Sequence, residues 1–293
     1  MRQPKALGPA VAGSWYPRSR DELAKLVDRL LETAAGRSSA AAGSPAGLVV
    51  PHAGFAYSGA VAASAFARVH AGGVDRVLLL GPSHYFGFRG AAIPDLAVVF
   101  RTPLGDVPID RTLLSRLAES PVFIADDRMF EPEHALEAEL PFLQRVCDSQ
   151  VTIVPMLLGG RATGEDAAEV ASALAPLLTP STLVVVSSDF THFGERFGYT
   201  PFADKLPERI RELDAGAIAA IEHGDAESFA QFVRATGATI CGHRAIEVLL
   251  RLPIASAGAT LLEYDTSGRR TGSYDHSVSY AAIATQASDR PAA

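Results

Sequence analysis

The 293-residue sequence predicts a single-domain three-layer α/β/α fold around a mostly parallel or mixed sheet, and three observations carry that expectation. Short runs too apolar to alternate, at 48–50, 77–80, 151–158 and 183–186, read as strands covered on both faces. Segments of helical period fall between them, the alternation of an α/β protein. Hydrophobic residues make up 48% of the chain and charged residues 20%, which is enough apolar surface for a large core.

In chain order, an N-terminal loop carries Trp15, the single tryptophan. Over 19–33, Leu23, Leu26, Val27, Leu30 and Leu31 recur at helical spacing and predict an amphipathic helix. The stretch 34–47 is small, polar and glycine-containing, and reads as a flexible surface connection. Helical patterns then cover 59–69, 110–117, 134–146 and 163–178. Pro141 should kink or end the third of these, because proline removes a backbone donor and crowds the preceding turn. Further helices are expected over 204–221 and 244–252, with strands around 259–264 and 277–284. No internal repeat occurs and the pattern does not break after Gly47, so 1–293 reads as one domain, with 287–293 as a disordered tail.

Charge and composition exclude several classes. There are 26 Lys plus Arg against 33 Asp plus Glu, a formal charge of -7, and no basic run that would track a phosphate backbone, so nucleic acid is not an expected partner. No stretch approaches the roughly 18 uninterrupted apolar residues of a spanning helix, and the N-terminus lacks an apolar signal core. A cytoplasmic protein with no membrane contact is expected. The two cysteines, Cys147 and Cys241, cannot make a disulfide framework and are judged separately. Cys147 ends a predicted helix with no basic or histidine neighbour and reads as a small packing residue.

The chemistry gathers at strand exits. In an open α/β sheet the loops leaving the carboxyl ends of the strands build the ligand site. Here Pro51-His52 leaves one strand, Gly81-Pro82-Ser83-His84 the next, and Ser187-Ser188-Asp189-Phe190-Thr191-His192 a third. An isolated histidine is usually a surface or structural residue, but three at equivalent exits point to one shared site. His70, His223 and His276 fall near helix ends or in a polar loop and read as solvent-facing. His134 and Glu137 read as a hydrogen-bonded pair at a helix start and stay outside the ligand set. Cys241 precedes an apolar helical stretch whose positive N-terminus should favour a thiolate. Imidazoles with an anionic ligand leave open positions, as catalytic metals require. Asp189 and His192 share one loop, so one can ligate or orient while the other moves protons, although Asp189 also suits a turn cap.

These segments resemble the Memo-like family, whose bacterial and archaeal members are called AmmeMemoRadiSam system protein B. The resemblance runs through Ala12-Gly13-Ser14-Trp15-Tyr16-Pro17, Pro51-His52-Ala53-Gly54-Phe55-Ala56-Tyr57-Ser58-Gly59, Leu80-Gly81-Pro82-Ser83-His84 and Arg101-Thr102-Pro103-Leu104-Gly105. It continues through Glu133-His134, Leu140-Pro141-Phe142, Ser187 to Gly194, Thr239-Ile240-Cys241-Gly242 and Ser277 to Ala282, nearly the whole chain. It implies a fold similar to the LigB-type class III extradiol dioxygenases, non-haem iron enzymes with two histidine ligands, a carboxylate ligand and an acid-base histidine. On that likeness His52 and His84 take the ligand positions, His192 the acid-base position, and Cys241 replaces the carboxylate. A thiolate softens the site, so Fe(II) is the implied metal with copper or zinc as alternatives, and ring cleavage does not carry over. Trp15 and Tyr57 match positions implied to bind substrate or peptide, though an aromatic core is their commoner use. Glu139 stands where relatives often carry Gln or His, and His243 where the family varies. The family name also implies association with an AMMECR-like protein and a radical SAM enzyme.

Three functions follow as expectations. The first is a metal-dependent, dioxygenase-like oxidoreductase acting on an unknown small molecule, with His52, His84 and Cys241 as ligands and His192 and Asp189 as catalytic groups. The second is a non-catalytic module binding a peptide or other ligand in the same pocket. The third is a hydrolase with Cys241 as nucleophile, His192 as base and Asp189 as orienter, which leaves His52 and His84 without a task.

Overall fold

The computed structural model describes residues 4–37, 44–70 and 72–285. The chain begins with strand β1 (Lys5–Leu7), helix α1 (Arg20–Arg37), strand β2 (Gly47–Val50), helix α2 (Phe55–Phe66) and strand β3 (Arg76–Pro82). Short strands β4 (Ala91–Ile93), β5 (Ala97–Thr102) and β6 (Gly105–Pro108) follow, then α3 (Arg111–Leu117) and β7 (Phe123–Ala125). Next come α4 (Leu140–Val146), β8 (Thr152–Leu158), α5 (Gly164–Leu174), β9 (Thr182–Ser187) and β10 (His192–Gly194). Helices α6 (Leu206–Glu222), α7 (Ala226–Thr236) and α8 (His243–Arg251) precede β11 (Ala259–Thr266), the short α9 (Ser267–Thr271) and β12 (His276–Thr285).

The four expected apolar strands form a continuous parallel block in the order β2-β9-β3-β8. Every residue of β2 and β9 is buried, which is why these runs carry no polar alternation. Antiparallel pairing extends the block on both sides. On one side β8 meets β4, which pairs in parallel with β7; on the other β2 meets β12, which also pairs β10 and β11. The sheet is therefore mixed. A separate three-stranded sheet joins β1, β5 and β6.

Helices flank the sheet in two groups. Helix α2 lies against β2, β11 and β12 and is backed by α1 and α4, whereas α8 lies against β3 and β9 and is backed by α5 and α7. Leu23 and Val27 of α1, Val61 and Phe66 of α2 and Ile246 and Leu249 of α8 enter one contiguous cluster of buried side chains. No helix among the described residues is long and apolar enough to cross a membrane.

Several local expectations need correction. Helix α1 continues to Arg37, so Ala34 to Arg37 close a helix, while β2 already begins at Gly47; of the expected loop between them 44–46 is irregular, and 38–43 and the 287–293 tail lie outside the described residues. Pro141 does not kink a long helix from 134. It sits in the first turn of the short α4, where a missing N–H costs nothing, and a 3-10 turn over Glu137–Glu139 precedes it. Helix α7 was not expected, although Asp225 capping the Glu227 and Ser228 N–H groups and Gly237 at φ 65 are legible start and stop signals. Strands of three to six residues at β4, β5, β6 and β7 were also missed, being too short to show a period.

Gly242 sets how closely α8 approaches the end of β9. Its N–H donates to Ser188 Oγ at 3.0 Å, and a Cβ there would stand 2.5 Å from Ser188 Cβ and 2.7 Å from the Ser187 carbonyl oxygen. Gly242→Ala should therefore push α8 off the sheet and destabilise the protein by about 1–3 kcal/mol, the usual range for overpacking. A denaturation midpoint equal to that of the wild type would show that the contact relaxes freely.

Candidate metal centre

Strand register brings the site together. Val50 of β2 pairs with Ser187 of β9, and Leu80 of β3 with Val186, so the three strands end side by side. Two positions beyond the last strand residues Val50, Pro82 and Ser187 stand His52, His84 and Asp189. The third equivalent exit thus delivers Asp189, correcting the expectation of three equivalent histidines. His192 lies farther on, opening β10 opposite Val278 of β12.

The third imidazole at the strand ends comes instead from His134. One potential ligand atom from each of His52, His84 and His134 lies within 4.8 Å of the others. The His84 and His134 rings stack with centroids 4.6 Å apart, and His52 meets them edge-on at 5.3 and 5.5 Å. His52 is buried, His134 half-buried and His84 exposed, so the cluster opens on the His84 side. His134 is not the start of a helix. Its former partner Glu137 turns away, accepting from the Ala10 and Val11 N–H groups and from Tyr16 Oη.

Each ring is held by its surroundings. His52 Nδ1 lies 2.7 Å from Ser187 Oγ, which leaves Nε2 towards Cys241 Sγ at 3.4 Å. His84 Nδ1 lies 2.8 Å from Glu133 Oε1, and the same carboxylate accepts the backbone N–H groups of His84, His134 and Ala135. Burial opposes ionisation of Glu133, but these hydrogen bonds, the His84 ring foremost, hold its pKa below the usual value. A carboxylate that fixes one imidazole nitrogen and raises the basicity of the other is the common outer support of metal-binding histidines. Burial, then the charge of neighbouring imidazoles, pushes His52 well below the ordinary value of 6.5 and His134 down to about 4. Both shifts favour neutral rings at His52 and His134.

Cys241 and Asp189 share the His52 side. Asp189 Oδ1 accepts the His52 N–H at 3.0 Å, and the Asp189 N–H donates to Cys241 Sγ at 3.2 Å. Burial pushes the Asp189 carboxyl up to about 6, partly offset by His192. The same burial, followed by the charge of Asp189, raises Cys241 far above an ordinary thiol. The expected helix N-terminus does not prevail, because Cys241 lies outside α8, which starts at His243 after Gly242. Without a cation nearby, Cys241 is a thiol. His192 Nδ1 lies 2.9 Å from both the Phe190 and Thr239 carbonyl oxygens, which can only accept, so that nitrogen carries hydrogen.

Of the aromatic candidates, Trp15 reaches the cluster, its ring 4.3 Å from that of His134. Tyr57 lies in the first turn of α2 and is exposed, as are Tyr85 and Phe86 immediately after His84. His70, His223 and His276 are exposed as expected. Cys147 packs beside the core, and burial raises its thiol to about 12. The signal for His134 was its neighbour: Glu133-His134 supplies a carboxylate and an imidazole together, a pairing that gains meaning only once His84 is seen to need a partner.

The fold and site define an α/β protein with an imidazole cluster at the carboxyl ends of a parallel strand block. The sequence profile described as Memo-like protein matches residues 8–284. The chain is 36% identical over 284 residues to the Protein memo-1 homolog of Caenorhabditis elegans, covering 92% of this chain and 79% of that protein. It is 33% identical over 288 residues to Protein MEMO1 of Homo sapiens and 34% to that of Danio rerio, covering 92% of this chain and 94% of each relative. The chain belongs to the Memo family.

The neutral rings make acid stability a test. Unfolded histidines take up protons near 6.5, whereas folded His134 resists until about 4, so its contribution is intact above 6.5 and is lost as pH falls towards 4. That shift is worth on the order of 3 kcal/mol. Asp189, Glu137 and Glu139 are shifted upward and act in the opposite sense, so the reading is the difference between metal-free wild type and His134→Gln. The variant should gain stability relative to wild type as pH falls from 6.5 to about 4, measured by chemical denaturation. A constant difference would remove His134 from this account.

Proposed function

We propose that this Memo-family protein binds a transition metal between His52, His84 and Cys241, with His134 as an adjacent nitrogen donor, and uses it for redox chemistry on a small substrate. The observation carrying this reading is the convergence of three imidazoles within 4.8 Å, with Cys241 Sγ 3.4 Å from His52 Nε2. The donor set fits such an ion. Bonds of about 2.0–2.1 Å to nitrogen and about 2.3 Å to sulfur put tetrahedral neighbours roughly 3.5 Å apart, close to the His52–Cys241 separation. Nitrogen and sulfur donors suit iron, copper or zinc rather than calcium or magnesium. A bound cation also deprotonates a coordinating thiol, reversing the preference that burial and Asp189 impose on Cys241.

When bound, iron or copper would supply electron transfer and polarisation of a ligand at an open position. The protein's own groups have separate tasks. Glu133 and Ser187 orient His84 and His52, Asp189 holds the His52 backbone, and His192, its Nδ1 anchored on two carbonyls, would take or return a proton at Nε2. Trp15 and Tyr85 pack around His134 at the open side of the cluster.

Exposed Tyr57, Tyr85 and Phe86 support a second reading, a pocket that holds an aromatic or peptide ligand without turnover. A metal-free hydrolase is supported least, since burial and Asp189 both oppose the thiolate it needs.

Elemental analysis of protein purified without oxygen tests the first reading. Wild type should carry one equivalent of iron, copper or zinc, and His52→Ala with His84→Ala should carry none. Cys241→Ser should lose thiolate-to-metal absorption in a cobalt- or copper-loaded sample, while His134→Gln keeps it. Wild type without stoichiometric metal, or a double variant that retains it, defeats the metal-centre reading. Metal binding without oxidative turnover would leave the ligand-binding module.

A further inference from the structure

Glu139 lies outside the imidazole cluster, yet a hydrogen-bonded chain connects it to His52. Its side chain is fully buried. Oε1 lies 2.7 Å from Ser187 Oγ, whereas Oε2 has no hydrogen-bond partner among the described residues. Ser187 Oγ has two other close neighbours, the Ala135 carbonyl oxygen at 2.7 Å and His52 Nδ1 at 2.7 Å. Three short contacts therefore meet at a hydroxyl that owns one hydrogen.

Proton counting assigns each contact. The Ala135 carbonyl can only accept, so it takes the Ser187 hydrogen. Glu139 and His52 must then each bring a hydrogen of their own to the two lone pairs of Ser187 Oγ. This makes Glu139 a carboxylic acid and places the His52 hydrogen on Nδ1. The other His52 nitrogen, Nε2, keeps its lone pair on the side of Cys241. With Glu139 ionised, two oxygens would sit at hydrogen-bonding distance with no hydrogen between them, and a second negative charge would lie near Asp189. A neutral acid also accounts for the unpartnered Oε2, because a carbonyl-like oxygen without a donor costs much less to bury than part of a carboxylate.

We propose that Glu139 is a positioning residue of the centre: it keeps its proton and donates it to Ser187, anchoring the hydroxyl that accepts the His52 Nδ1 hydrogen and so fixing the ring whose Nε2 can bind a metal. Without a donor at position 139, Ser187 Oγ loses one of its three short contacts and keeps only Ala135 and His52. The His52 ring is then less firmly oriented as a ligand. The consequence for metal affinity rests on the proposed function above; the proton assignment does not.

The test has two parts. In metal-free protein at mildly alkaline pH, the infrared difference between wild type and Glu139→Gln should contain a protonated-carboxyl stretch belonging to wild type. Imidazole nitrogen NMR should show His52 protonated on Nδ1 in wild type, in Glu139→Gln, whose amide still donates, and in Glu139→Leu, where Ala135 still takes the Ser187 hydrogen. Zinc titration should then find Glu139→Gln equal to wild type and Glu139→Leu about 10- to 100-fold weaker, the range for losing an outer-shell partner. Absence of the carboxyl band, an Nε2-protonated His52 in wild type, or Glu139→Gln as impaired as Glu139→Leu would overturn the proposal. If the infrared and NMR results hold while no variant or wild type binds zinc, iron or copper, it is the metal-centre reading that fails.

Discussion

The parallel register of β2, β9 and β3 aligns their carboxyl ends, and every group of the site hangs from that alignment. Because the block is buried on both faces, a slip of one residue would turn a wholly apolar strand without changing its apolar pattern, so side-chain alternation does not fix the register. What pins the ends is polar. The Ser188 N–H donates to the Val50 carbonyl, and Asp189 accepts the His52 N–H across the same junction. Gly242 then allows the segment leading into α8 to close against Ser187 and Ser188, which places Cys241 beside Asp189.

Crowding neutral imidazoles at such a place has a physical consequence. His52, His134 and Cys241 all shift towards their uncharged forms, and burial is the first cause in each case. His52 and His134 thus present lone pairs rather than positive charge, the condition under which nitrogen ligands are available to a cation. Glu133 alone keeps a negative charge against burial, because three backbone N–H groups and His84 surround it. Asp189 stands between these cases, with burial set against His192 and the His52 N–H.

A single irregular segment, 133–139, supports much of the pocket. Glu133 orients His84, His134 stacks on it, the Ala135 carbonyl takes the Ser187 hydrogen, Glu137 ties down the loop bearing Trp15, and Glu139 reaches Ser187 from the other side. Regular helix would spread these side chains around an axis. The open turn and short 3-10 segment instead direct Glu137 to the N-terminal loop and Glu139 to the sheet, and Pro141 then starts α4 without a wasted donor.

The sequence by itself determined the layered α/β class, the four buried strands and His52 and His84 at strand exits. These are local properties: apolar runs, turn residues beside them and the chemistry of named side chains. His192 and Cys241 were also singled out in the sequence; family likeness added their acid-base and ligand roles, and the structure brings Cys241 Sγ to 3.4 Å from His52 Nε2. Only the tertiary structure decided that Asp189, rather than His192, occupies the third equivalent exit, because strand ends are counted from hydrogen-bonded register. Only it brought in His134, which looked like a helix-start residue until a turn far from β2 in sequence packed across the strand ends. Glu139 was visible as a departure from relatives, but its link to His52 runs through Ser187, a contact spanning 48 residues in one direction and 135 in the other. Such links depend on how separate segments pack, and no local pattern encodes them.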